Sequence, residues 1–202
     1  MGKCAAIPLG RDPIMNTLAA TPTPADRAVS SPRDDLPRAK AANLSRDDIE
    51  QIADKVRNVV GYQPGDELIP IIKRIGGQVD FINLHEWLDD HCATITVRGK
   101  RDFTIQLSRV GGLLRNRFSL AHELGHYVLH SQIGKIPLQA TRSLISERVE
   151  WEANWFAAAF LMPAAAFRQR WEMTERIEDL ASYFLVSTQA VKVRKEVIID
   201  QA

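Results

Sequence analysis

The run His122-Glu123-Leu124-Gly125-His126 constrains this chain more than any other feature. It lies within a segment, from about Leu113 to His130, whose pattern reads as one helix. On a helix, residues four apart stand one above the other with Cβ atoms about 6 Å apart, so both imidazoles can converge on one ion. An ion gripped by one helix must take its next ligand from a different element packed against the first. The spacing therefore asks for two helices in contact, not merely for a helix.

Zn2+ accepts two histidines and a carboxylate and leaves a fourth position for water, the layout of a hydrolytic rather than a closed structural site. Glu123, next to the first histidine, is placed to take a proton from that water and pass it to a leaving amine. The carboxylate is expected on a second helix, from about Arg142 to Met162, which Pro163 stops. Glu147, Glu150 and Glu152 are the candidates there. Ala153, Phe156, Ala157, Phe160 and Leu161 mark an apolar stripe, and Glu150 lies on its edge, three and seven residues before Ala153 and Ala157. Glu152 falls about 200° away from Glu150 and is expected to face solvent. Asn154, one turn beyond Glu150, is a candidate hydrogen-bond partner for a ligating histidine.

The elements before this pair differ in period. Ser45, with Asp48 three residues on, can cap a helix with the apolar face Ile49, Ile52, Ala53, Val56, Val59 and Val60, stopped by Gly61. A second short helix spans about Glu67 to Ile75, irregular at Pro70, and Gly76 and Gly77 end it. Three strands are expected: Val79 to Leu84, Ala93 to Arg98 and Phe103 to Leu107, the last two alternating apolar and polar and joined by the hairpin turn Gly99-Lys100-Arg101-Asp102. After Pro163, two or three short helices follow, ending in a helical hairpin at about 175–199. The fold class is α+β, with a three-stranded, mostly antiparallel sheet packed on helices.

Residues 1–42 hold six of the ten prolines and no sustained apolar period, and are expected to form a disordered leader before a single domain over 43–202. The 26 basic and 25 acidic residues nearly cancel, which argues against a globally basic nucleic-acid binder and a polybasic membrane anchor. The longest apolar run, from Trp155 to Phe167, contains Pro163 and is too short to span a bilayer, and the N-terminus lacks a secretory apolar core. The expected compartment is the cytoplasm. With only two cysteines, Cys4 and Cys92, a disulfide framework is not expected.

Other polar features are read more plainly. His85, Glu86, Asp89, Asp90 and His91 form a solvated loop, since the two histidines are about 240° apart on a helix. His130 continues the four-residue series but lies about 12 Å along the axis from His122, and is taken as a supporting or packing histidine. Tyr127 points to a different side of the helix from His126 and packs, leaving the oxyanion donor unidentified. The strand Phe103 to Leu107 is a candidate edge for pairing with an extended substrate. The C-terminal hairpin has the outline of a helix-turn-helix, but its basic strip is only Lys192, Arg194 and Lys195; closing the core is the preferred reading, and direct nucleic-acid binding is not expected.

The blocks Arg117-Phe118-Ser119-Leu120-Ala121-His122-Glu123-Leu124-Gly125-His126-Tyr127, Glu150-Trp151-Glu152-Ala153-Asn154-Trp155-Phe156-Ala157 and Leu161-Met162-Pro163 closely resemble the ImmA/IrrE family of metallopeptidases. The resemblance covers roughly residues 45–197. It implies a small zincin-like core, zinc bound by His122, His126 and Glu150 (Mn2+ or another divalent ion in its place), and Glu123 as the catalytic base. Characterised members cleave helix-turn-helix repressors often encoded beside them, so the resemblance implies an endopeptidase acting on such a protein. The rival reading is a repressor-binding module with a structural metal and no proteolysis. The leader and the segment from Ile133 to Ser146 fall outside the resemblance.

Overall fold

The computed structural model describes residues 36–82, 93–141 and 145–201. Most of the expected leader, the cluster from His85 to His91, Leu84, both cysteines and Arg142 lie outside the described residues.

Helix α1 (Arg46–Val60) opens on the expected capping box: the Asp48 amide donates to Ser45 Oγ at 3.2 Å, and the Ser45 amide to Asp48 Oδ2 at 3.1 Å. Its face Ile49, Ala53, Val56 and Val60 is buried, and Gly61 ends it at φ 67°. Helix α2 (Leu68–Arg74) has Pro70 in its first turn, where a missing amide proton costs no intrahelical bond. Gly76 then turns at φ 93°, where an added Cβ would lie 2.3 Å from the Arg101 carbonyl oxygen, so only glycine lets the chain pass under the neighbouring hairpin.

Strands β1 (Gly77–Ile82), β2 (Ala93–Gly99), β3 (Asp102–Ser108) and β4 (Leu138–Thr141) form one sheet in the order β1-β3-β2-β4. β2 and β3 make the expected antiparallel hairpin, with Ile95 opposite Ile105 and Val97 opposite Phe103. Two expectations are corrected. The sheet has four strands, because Leu138–Thr141, too short to show a period, pairs antiparallel with β2; and it is mixed, because β1 runs parallel to β3. β3 is therefore flanked on both sides and has no free edge for a substrate strand. The outer side of β4 is met by the segment before α1, where the Gln139 amide donates to the Pro37 carbonyl at 3.0 Å.

Helix α3 (Leu113–Gly125) packs against β2 and β3 and runs on through a π-helical turn, His126–His130. Helix α4 (Glu147–Leu161) starts later than the apolar pattern suggested, because Ser146 caps it by accepting from the Val149 amide at 3.4 Å. The two helices touch at Gly125, where an added Cβ would lie 3.2 Å from both Ala153 Cα and Phe156 Cδ1. That close approach brings the first turn of α4 over the histidines of α3.

Helices α5 (Ala164–Thr174), α6 (Ile177–Phe184) and α7 (Thr188–Ile198) complete the fold. Arg194 on α7 is buried, donates to the Met162 carbonyl at 3.1 Å and forms a two-pronged ion pair with Glu50 on α1. Lys195 pairs with Asp200 at 2.7 Å. Two of the three basic residues of the hairpin strip, Arg194 and Lys195, are thus spent on internal contacts, while Lys192 is exposed, and α6 and α7 close the core through Leu180, Phe184, Val191 and Ile198. Among the described residues no helix is long and apolar enough to cross a membrane.

Candidate metal centre

Leu120, Ala121 and Leu124 seat α3 in the core, and this burial carries His122 and His126 inward with them at 0% and 1% exposure. Their Nε2 atoms are 3.1 Å apart. Glu150, from the first turn of α4, closes the group: its Oε2 lies 3.4 Å from His122 Nε2 and its Oε1 3.5 Å from His126 Nε2. Two helices thus deliver three ligand atoms to one point, as the spacing required, and the group could hold a metal ion.

The arrangement suits a small cation with nitrogen and oxygen preferences. Donors about 2.0–2.1 Å from a tetrahedral zinc lie about 3.3–3.4 Å from one another; the two imidazole nitrogens stand 3.1 Å apart, and each has one of the two Glu150 oxygens at 3.4 or 3.5 Å. The protonation states also suit it. His122 Nδ1 lies 2.9 Å from Asn154 Oδ1, an acceptor, so the ring proton sits on Nδ1 and Nε2 presents a lone pair to the cluster. Burial pushes the His126 imidazole down to about 3, which keeps it neutral. Burial raises the Glu150 carboxyl, but the two imidazoles beside it outweigh this and hold it below the usual carboxylate range, so it is ionised.

Glu123 is buried at 2% exposure on the same turn, between the two histidines in sequence. Tyr127 packs, as expected: its ring stacks on Phe103 with centroids 4.1 Å apart, and its hydroxyl accepts from the Arg101 amide at 3.1 Å.

Residues 95–196 match the IrrE N-terminal-like domain of Peptidase_M78, an interval that runs from β2 to α7 and contains the whole cluster. The chain belongs to the Peptidase_M78 family. Its His122–His126–Glu150 group therefore lies inside the interval that matches the family, not in an unrelated helical pair. The fold is also that of a solved Mycobacterium tuberculosis transcriptional regulator, with a TM-score of 0.52 and 20% identity over 77% of this chain. This Peptidase_M78 chain spans about half of that protein, 48% of its length. No curated protein matches the chain in sequence.

One expectation at the Peptidase_M78 site is overturned. Glu152 does not face solvent; its exposure is 0%. The segment before α1 lies over that side of α4, and the Ala42 and Leu44 amides donate to the Glu152 carboxylate at 2.9 and 3.1 Å. Helical geometry alone placed Glu152 away from the core stripe correctly, but the covering strand of chain comes from more than a hundred residues upstream. His130 is buried, in keeping with a supporting histidine, and its partner is the same glutamate: its Nε2 lies 3.0 Å from Glu152 Oε2. The sequence signal for that pair was present only in the continued four-residue histidine series.

Proposed function

We propose that this chain is a zinc-dependent endopeptidase, zincin-like in its core, in which His122, His126 and Glu150 hold the ion and Glu123 is the catalytic base. The observation that carries the reading is the convergence of His122, His126 and Glu150 from two helices, one ligand atom from each within 4.8 Å of the others, with a buried glutamate between the two histidines. When bound, the ion supplies Lewis acidity, polarising a peptide carbonyl and making water a stronger acid. Glu123 accepts the proton of the attacking water on its carboxylate and returns it to the amine nitrogen of the leaving segment. Asn154 holds His122 in one tautomer, and the buried walls of α3 and α4 keep the His126 imidazole neutral.

The family resemblance supports a specific helix-turn-helix repressor in the cytoplasm as the substrate, whose removal would switch an operon. The rival, a binding module with a structural metal, is weaker because a structural site has no use for a base such as Glu123 beside its ligand, and because the described residues bring three donors together where a closed structural site uses four. Mn2+ or another divalent ion in place of zinc is decided by metal analysis of the purified protein.

Glu123→Gln tests the assignment. Incubated with the candidate repressor, the variant should bind zinc as the parent does and cleave about 10²–10⁴-fold more slowly, the range general acid–base catalysis supplies. Cleavage at the parental rate would refute the role of Glu123, and cleavage by the parent that persists in chelator would refute the metal.

A further inference from the structure

Buried polar contacts do not stop at the three ligand atoms. His126 Nδ1 lies 3.0 Å from His130 Nδ1 across the π-helical turn, and His130 Nε2 lies 3.0 Å from Glu152 Oε2. Both rings and the carboxylate are buried, at 1%, 4% and 0% exposure. Glu152 is in turn saturated: Oε2 also accepts from the Ala42 amide at 2.9 Å, and Oε1 accepts from the Leu44 amide and Arg148 Nε, both at 3.1 Å. Four N–H donors converge on a group with about four lone-pair sites.

Proton positions follow from this order. A carboxylate met only by donors is an acceptor at both oxygens, so the proton between His130 and Glu152 belongs to His130 Nε2. A neutral His130 then has a bare Nδ1, and the 3.0 Å contact across the turn requires His126 to be the donor there, through Nδ1–H. His126 Nε2 is left with its lone pair facing His122 and Glu150. The opposite arrangement, with His130 protonated on both nitrogens, would put a proton on His126 Nε2 and aim it into the cluster, where it would compete with a cation.

We propose that His130 and Glu152 are positioning residues of the metal centre, holding His126 in the Nδ1–H tautomer so that its Nε2 is ready to ligate. This rests on the metal-centre reading above. The chain thereby supports its two histidines differently. Asn154, exposed at the rim of α4, sets His122 directly, whereas His126 is set through two further buried groups. The far end of the relay is the backbone at Ala42 and Leu44, so the carboxylate that orients the relay is itself held by the segment leading into α1. Arg148 grips the same segment from the other side, donating through its second arm to the Leu44 carbonyl. Partners that orient a metal-ligating histidine are worth about 10–100-fold in metal affinity when removed.

Two measurements on the full-length chain test the proposal. Nitrogen-15 NMR of histidine side chains in the metal-free parent should show His126 protonated at Nδ1 alone and His130 at Nε2 alone. His126 protonated at Nε2, or His130 protonated at both nitrogens, overturns it. Zinc affinity, read by competition with a chromophoric chelator, should fall about 10–100-fold in His130→Phe and recover in part in His130→Asn, whose amide oxygen can stand where Nδ1 accepts. An affinity within twofold of the parent in a folded His130→Phe also overturns it, and should that variant fail to fold, the NMR result on the parent decides. Failure of the metal-centre reading looks different: the parent itself would not bind zinc.

Discussion

Glu150 and Glu152 are the same residue type, two positions apart on one helix, in opposite electrostatic company. Glu150 keeps 18% of its side chain exposed and faces two histidine nitrogens, one shown by its Asn154 contact to carry a lone pair. Glu152 is fully covered and faces four N–H donors. A carboxylate among donors has its charge compensated by the protein and belongs to the scaffold. One that faces two imidazole nitrogens at 3.4 and 3.5 Å forms with them a group that could hold a metal ion. The direction in which neighbouring groups point, more than burial or residue type, separates the ligand from the brace.

Substituting each glutamate should expose that contrast, and Glu150→Gln is the larger effect. With one of three donors neutralised, zinc affinity should drop by at least about 100-fold, beyond the cost of losing an orienting partner, while urea denaturation of the metal-free protein changes little. Glu152→Gln should do the reverse in emphasis. Its amide nitrogen would confront two N–H donors, costing roughly 1–3 kcal/mol of stability in the metal-free protein, with a smaller loss of zinc affinity than Glu150→Gln. If the two variants destabilise the metal-free protein equally, the division between ligand and brace is wrong.

How much of this was readable beforehand depended on where the deciding partner lay in the chain. The helix bearing His122 and His126, the choice of Glu150 and the pairing of Asn154 all follow from periodicity within two short segments, because each depends on spacing along one helix. The burial of Glu152 does not, because its cover is the backbone of Ala42 and Leu44, whose amides carry no residue-type signal. Sheet order was hidden for a similar reason. Alternation identifies Phe103, Ile105 and Leu107 as the inward face of a strand, yet says nothing about neighbours, and the strand expected at an edge lies between β1 and β2. β4 has four residues, less than the run over which a period of two can be told from chance.

Arg148 sharpens the comparison at a smaller scale. Its Nε donates to Glu152 and its guanidinium lies 4.4 Å from the centre of the Trp151 ring, but the side chain is 43% exposed. Solvent screening limits such a pair to about 1 kcal/mol or less, so Arg148→Ala should destabilise less than Glu152→Gln in the same denaturation experiment. A larger loss would mean that the brace depends on Arg148 more than on the buried backbone amides and His130.

Asp48 supplies the exposed end of the series, and the smallest effect. Like Glu152 it accepts only from donors, the hydroxyl of Ser45 at 2.6 Å and the Ser45 amide at 3.1 Å, but it does so in water at the start of α1. The Ser45 side-chain hydrogen bond first, and its backbone hydrogen bond second, hold the Asp48 carboxyl below its ordinary value of 3.8. A carboxyl whose value is lower folded than unfolded stabilises the fold above the unfolded value, about 3.9, and loses that contribution as pH falls through the folded one. Asp48→Asn should therefore melt slightly below the parent at neutral pH, with the gap closing as pH drops below about 4. The helix it caps follows directly on Ala42 and Leu44, so a gap that stayed constant through that range would show that Asp48 acts by shape alone, and that donor-facing carboxylates at this end of the chain do not hold the segment by their charge.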